Sequence, residues 1–386
     1  MSKKTVVLRA PLLSLSGYGV HSRQIFKWLM KKDVNLVTQI VSWGMTSWMI
    51  DEKAESGMIG EIMRKSDGNL KNKPDVSVQI QLPNEWDPKF AVKNIGVSAF
   101  VETDICNPSW LKASNEMNHI VVPSQHVKET IIRSGGITSK LSVVPESFME
   151  EISTPVKIEG LNLKTKFNFL IVSQLTGNNQ HDDRKNIYNT IKWFCETFKD
   201  DPDVGLIVKT NSGAGTTIDK INTRKTLKLI TDAVKKSPFP KVYMLHGNMT
   251  QSEMSSLYYH DSVKALINLT RGEGFGLPIL EAAAANLPVI TTDWSGHLDF
   301  MRLGRFIPVS FQLGPVHKSR LDGSIFIEGS RWAEPDELDF KKKIKKFRES
   351  SEIPRQWAEE LGAKLRVTHT QTAIEKIYDA ELGYLL

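Results

Sequence analysis

The sequence predicts an α/β protein made of two doubly wound, Rossmann-like domains facing a central cleft. Three observations predict it. At 386 residues the chain is too long for one ordinary core. It opens with a strand, a Gly-x-Gly turn and a helix, the start of a doubly wound unit. After a polar stretch holding Pro155 and Gly160, a second series of buried strands and helices begins at residue 167. The expected boundaries are a first domain over 1–150, a linker over 151–166 and a second domain over 167–366. Hydrophobic content of 40% and charged content of 24% describe a globular chain. No apolar run reaches the roughly 18 residues that a membrane span needs, so no stable insertion is expected. The first residues are too short and too interrupted by charge for a signal peptide. Cys106 and Cys195 suit a reducing, cytoplasmic setting and offer no metal spacing. The net charge is +6, shared evenly between residues 1–150 and the rest, so it permits an anionic partner without demanding one.

Residues 5–8 read as the first strand. Ser16-Gly-Tyr-Gly-Val-His21 follows, then Ile25, Phe26, Leu29 and Met30 at helical spacing. Gly17 and Gly19 make either a phosphate-facing loop or only a tight turn. Residues 34–41 suggest a second strand. Residues 42–73 show no period, and Trp43, Trp48 and Met49 line either an acceptor groove or a partly buried lid. Strands follow at 76–82 and 94–100. Loops beyond strand carboxyl ends carry ligand contacts in open α/β sheets, which makes Glu102 and Asp104 candidates. A strand at 120–124, a helix from Gln125 and a strand at 141–145 complete this half.

The second half opens with a strand at 167–173 and a polar loop at 174–183. Arg184 and Lys185 then start a helix that runs through Phe198. The strand at 204–209 ends in Lys209, aimed at the ligand edge. A helix over 217–236, a strand over 242–245, the turn His246-Gly247-Asn248-Met249, a helix over 252–259 and a strand over 265–269 follow. Asp201-Pro-Asp203 has the pattern of a metal motif, but it lies between a helix end and a strand start, where Pro and Asp are ordinary turn residues. The neighbours His181, Asp182 and Asp183 rarely converge on one ion. No metal is expected. From about Asp336 the chain reads as helical. Its lysine run at 341–346 is a solvated face, with a nucleic-acid patch as the alternative.

The stretch Arg271-Gly-Glu-Gly-Phe-Gly-Leu-Pro-Ile-Leu-Glu281 organises all of this. It is a glycine-rich loop feeding a helix. Gly272, Gly274 and Gly276 allow positive φ and close ligand approach. Pro278 suits a first helical turn. The N–H groups of that turn, with the positive end of the helix dipole, make an anion site. Glu281 falls about one turn in, and Asn286 can take the left-handed cap. Pro288-Val-Ile-Thr-Thr292 reads as a buried strand. Two carboxylates flank an anion site here. The anion wants donors and the carboxylates want hydroxyls, so a nucleotide sugar fits.

This segment resembles the signature of retaining GT-B glycosyltransferases of the family 4 kind, E-G-F-G-L-P-x-x-E-A-x-A-x-G-x-P-V-I, with Asn286 in place of the usual Gly. The turn after the first strand, the run 100–145 and the segment around Lys185 are similar to the same family. The resemblance implies sugar transfer from a nucleotide-sugar donor to an acceptor hydroxyl with retention. It implies that Glu281 accepts from ribose hydroxyls and Glu273 from the sugar. The N–H groups of Gly274, Phe275, Gly276 and Leu277 would meet the sugar and phosphate. Lys185, with Arg184 or Lys209, would stabilise the leaving diphosphate, the family's usual Arg being Gln174 here. Gly247 and Asn248 would hold the nucleobase, and Gly17 and Gly19 would face the donor phosphates. His297, in Asp293-Trp-Ser-Gly-His-Leu-Asp-Phe300, is either a ligand contact or a capping group. Glu102 stands near where many members carry an active-site His. A last helix over 367–386 would return to the first domain. No cofactor or metal is implied. A saccharide or glycan is the leading acceptor, and modified DNA with hydroxymethylated bases the alternative. A nucleotide-sugar-binding protein without turnover is the reading from another class.

Overall fold

The computed structural model describes residues 3–67, 70–175, 179–235 and 237–386. Residues 176–178 of the polar loop and Lys236, the expected end of a helix, lie outside them. The chain divides into two compact units. The first comprises residues 1–147 and 371–386, and the second residues 148–370.

In the first unit, β1 (Thr5–Ala10) leads into α1 (Gly17–Met30). There follow β2 (Asn35–Ile40), α2 (Met58–Arg64), β3 (Val76–Ile80), β4 (Lys93–Val97), α3 (Pro108–Asn115), β5 (His119–Val122), α4 (Gln125–Arg133) and β6 (Lys140–Val143). Among the described residues the strands form one parallel sheet in the order β2-β1-β3-β4-β5-β6. Val6, Leu8, Val78, Ile80, Ile95 and Val97 are fully buried, as parallel strands covered on both faces must be. The strand expected over 94–100 stops at Val97, because Phe100 turns the chain with φ of 49°. Helix α3 was not foreseen, although Asn107 caps it and Pro108 begins it.

The second unit contains β7 (Phe167–Val172), α5 (Ile187–Thr197), β8 (Val204–Thr210), α6 (Thr217–Val234), β9 (Lys241–His246), α7 (Gln251–Tyr258), β10 (Val263–Asn268), α8 (Leu277–Ala284), β11 (Val289–Thr292), α9 (Leu298–Met301), β12 (Ile307–Val309), β13 (Phe311–Pro315), β14 (Arg331–Pro335), α10 (Glu337–Glu349) and α11 (Glu352–Thr368). Its parallel sheet runs β12-β11-β10-β7-β8-β9, and β13 and β14 form a separate antiparallel pair. That pair was not expected from the sequence. The expected linker packs on this unit instead: Ile152 is buried, and its carbonyl accepts from Ser255 Oγ at 2.7 Å.

The final helix, α12 (Gln371–Leu382), belongs to the first unit. It begins at Gln371, since residues 367 and 368 still belong to α11. Ile374, Tyr378 and Leu382 join the core of β1 and α1, and the Tyr378 ring stacks on Trp28 at 5.0 Å. Among the described residues no helix is long and apolar enough to cross a membrane.

Candidate functional site

In the second sheet the chain leaves β7 in one direction through β8 and β9, and in the other through β10, β11 and β12. The switch point therefore lies between β7 and β10. Ligands in such sheets bind beyond the strand carboxyl ends at that point. The loop after β7 carries Arg184 and Lys185, and the loop after β10 carries Glu273.

The three side chains meet. Lys185 Nζ donates to both Glu273 carboxylate oxygens, at 2.6 and 2.8 Å. Arg184 Nη1 donates to the Gly272 carbonyl at 2.6 Å and lies 3.3 Å from Glu273 Oε2. Glu273 is buried, and burial alone would raise its pKa. The Lys185 and Arg184 charges overcome this and hold the carboxyl down at about 2. Lys185 is placed by Asp183, whose carboxylate accepts from the Lys185 and Ile187 N–H groups and so caps α5.

Gly276, with φ of 101°, turns the chain into α8, and Pro278 sits in the first turn. The helix thus starts beside Glu273 with its positive end at the loop. Gly272 and Gly274 do not adopt the expected positive φ; of the three glycines only Gly276 does. Phe275 does not line an open loop but is buried against Phe300 at 5.2 Å. Asn286 takes the expected left-handed cap, with φ of 62°.

Glu281 lies in α8 and accepts from Tyr258 Oη at 3.1 Å. Burial pushes its carboxyl up to about 7, against the pull of that hydrogen bond. Lys209, at the end of β8, donates to the Gly247 carbonyl at 2.6 Å, and burial lowers its pKa to about 8. Gly247, with φ of 116°, and Asn248 follow β9, and Asn248 Oδ1 accepts from Asn211 Nδ2 at 2.6 Å. Lys209, Gly247 and Asn248 thus lie at the carboxyl ends of β8 and β9.

His297 is fully buried. Its Nε2 lies 2.9 Å from the Thr292 carbonyl, and burial lowers its pKa to about 4, so the neutral ring donates there. It makes no side-chain cap to α9. A cap role is therefore corrected: the ring ties the end of β11 to the turn that follows. Gly19 has no room for a side chain. A Cβ on it would come within 1.9 Å of the Ser14 carbonyl oxygen, so this glycine is required by packing at the start of α1. Gly17 has open space about it, and Ser16 caps the helix by accepting from Gly19 N–H. Gly17, Gly19 and Glu102 all belong to the first unit. There Glu102 lies on the loop after β4, and its charge is felt by the partly buried Tyr18, which stacks on Trp43 at 3.8 Å.

The metal-like patterns resolve as turns. Asp201 accepts from Asp203 N–H and pairs with Arg348, and Asp182 accepts from Asn179. Among the described residues no three His, Cys, Asp or Glu side chains are grouped to hold a metal ion. A cavity of about 430 Å³ lined by Leu161, Thr165, Lys166, His260 and Ser262 lies at the opening ends of β7 and β10, opposite the charged cluster. Sequence reasoning missed Tyr258, the partner of Glu281, and Ser295, whose Oγ accepts from the Glu273 N–H at 2.9 Å. Tyr258 lies in no quoted motif, and Ser295 lies in the segment 293–300 but was not singled out there.

Residues 179–306 match the family model of glycosyl transferases group 1. No curated protein sequence matches the chain. Solved structures similar to it include sucrose-phosphate synthase from Thermosynechococcus elongatus, at 12% identity over 99% of both chains with a TM-score of 0.67. The Anabaena protein HepE, in complex with UDP and glucose, shares 11% identity over 99% of this chain and 100% of its own, with a TM-score of 0.65. A glycosyltransferase from Rickettsia africae shares 14% identity over 100% and 99%, also with a TM-score of 0.65. The architecture is the GT-B fold, and the stretch that matches the group 1 model spans the switch-point loops.

Proposed function

We propose that this chain, a nucleotide-sugar-dependent glycosyltransferase by its domain and fold, transfers a sugar with retention from a nucleoside-diphosphate sugar to a hydroxyl of a saccharide or glycan. The observation that carries the reading is the convergence of Lys185, Arg184 and Glu273 on the glycine loop at the start of α8. A departing diphosphate needs its charge neutralised in the transition state. Lys185 and Arg184 are cations already drawn to a carboxylate, and a diphosphate competes for them with two charges and several oxygens. Glu273, once released, accepts from sugar hydroxyls. The positive end of α8 supports the β-phosphate. Glu281 accepts from the ribose, and Lys209 lies on the neighbouring strand end to share the diphosphate. The cationic side chains do the work a metal does elsewhere. HepE is described with UDP and glucose, which supports the donor class, and a trehalose-6-phosphate synthase of similar fold is described in a study of glycosyltransfer with retention, which supports the stereochemistry.

The test is a panel of nucleotide sugars with saccharide acceptors, in EDTA, with NMR of the product anomer. Turnover in EDTA with the donor's anomeric configuration kept is the expected result. An inverted product overturns retention, and turnover that needs manganese or magnesium overturns the role given to the cations. Label transfer only to hydroxymethylcytosine DNA would move the acceptor from glycan to nucleic acid.

A further inference from the structure

Arg271 stands two residues before Glu273, and the chemistry above makes no use of it. It is 3% exposed. Its Nη1 donates to the carbonyls of Gln180 at 3.0 Å and Asp183 at 2.8 Å. Its Nε donates to Glu334 Oε2 at 3.0 Å, and Nη2 lies 2.9 Å from the same oxygen. The guanidinium lies 5.0 Å from the Trp332 ring, whose Nε1 donates to Glu334 Oε1 at 2.8 Å. The main chain of Arg271 adds two bonds: its N–H donates to the Arg184 carbonyl at 2.8 Å, and its carbonyl accepts from Ala333 N–H at 2.9 Å. One residue thus joins three segments: the cation loop before α5, the glycine loop before α8, and β14. The last segment lies outside the stretch 179–306 that the family model matches.

We propose that Arg271, held from behind by Glu334 and Trp332, is a positioning residue that locks the backbone carrying Arg184 and Lys185 to the backbone carrying Glu273. This rests on the glycosyltransferase reading. When a diphosphate draws the two cations from Glu273, the side-chain bonds between the loops break, and the clamp keeps the loops in register. The fork geometry matters. A guanidinium donates to two carbonyls and a carboxylate at once in fixed directions, whereas an ammonium is a point charge that cannot span them.

The test separates positioning from stability by replacing the ion pair as a pair. Arg271 is buried while Glu334 is partly exposed, so replacing both with apolar residues avoids leaving a lone buried charge, which would itself cost stability. The variant is Arg271→Met with Glu334→Leu, compared with wild type in three measurements: melting temperature, turnover of UDP-glucose or of whichever panel donor the wild type uses, and amide hydrogen exchange. The expected result is a near-wild-type melting temperature with a fall in kcat of about tenfold or more, as small misplacements of reacting groups cause. The KM for acceptor is expected to stay unchanged. Exchange is expected to quicken in 180–187 and 270–276 while β7 and β8 keep their protection. Should the double variant fail to fold, Arg271→Lys carries the same test, with the same expected pattern. A stable variant with wild-type turnover and wild-type exchange overturns the proposal and leaves Arg271 a stabilising residue only. If the wild type turns over no nucleotide sugar, the glycosyltransferase reading fails, and the exchange measurement still decides whether the clamp exists.

Discussion

Glu273 is buried and Glu281 partly buried on one loop and helix, yet their environments drive them apart. Lys185 and Arg184 keep Glu273 ionised, while Glu281 has only the Tyr258 hydroxyl and rises to about 7. Ribose hydroxyls donate, so nucleotide binding draws on the ionised Glu281. Below pH 7 the proton must first leave, and affinity falls; above it, affinity levels off. UDP affinity is therefore expected to rise from about pH 6 to about pH 8, measured by calorimetry. Glu281→Ala should remove that slope and cost about 1.5–3 kcal/mol at the upper end, the worth of a hydrogen bond to a charged group. A pH-independent affinity in the wild type would remove Glu281 from the ribose. The ribose role proposed for Glu281 comes from the resemblance of its segment to the family signature. Its raised pKa was not legible, because that follows from the burial the fold imposes on it, against the pull of the Tyr258 hydroxyl that α7 supplies.

Gly276 shows what the element scale adds. The sequence marks three glycines in one loop and gives each the same freedom. The structure needs it at one, since only Gly276 has positive φ. A Cβ there would also stand 3.1 Å from His297 Cβ. Gly276→Ala should lose about 1–3 kcal/mol from backbone strain alone, read by denaturant unfolding. An unchanged midpoint would show that the turn relaxes freely. The strands and helices that position the site were legible because buried parallel strands are apolar runs and helices repeat every three to four residues. The pair β13 and β14 was not. It is short, only Ala333 and Trp332 are fully buried on it, and its job is to back Arg271, a contact 60 residues away in sequence that local pattern cannot carry.

At the scale of the molecule the parallel sheets follow from alternating strands and helices, and two units are what the length leads one to expect. The exact boundary did not follow, because Ile152, Val156, Ile158, Leu161 and Leu163 are scattered among polar residues without a period, and only burial reveals that Ile152, Ile158, Leu161 and Leu163 pack on the second unit. Burial also sets the response to acid. His21, His119, His297 and His369 all have pKa values lowered by burial from 6.5 to about 4. The unfolded chain therefore binds more protons than the folded one between these values. Stability from these groups is complete above pH 6.5 and is lost as pH falls towards 4, by at most about 2 kcal/mol per histidine at pH 5. Melting temperature should drop steadily from pH 7 to pH 5, and a flat profile would contradict the neutral, buried rings.

The central claim is that Lys185 and Arg184 stabilise a leaving diphosphate. The most direct measurement is the release of UDP from UDP-glucose, and from the other donors of the panel, by purified wild type and by Lys185→Gln, with circular dichroism confirming that both are folded. The account predicts release by the wild type and a fall of about 10²–10³ in kcat for the variant, the usual cost of losing one preorganised group at a developing charge. Equal release by the two folded proteins would contradict it.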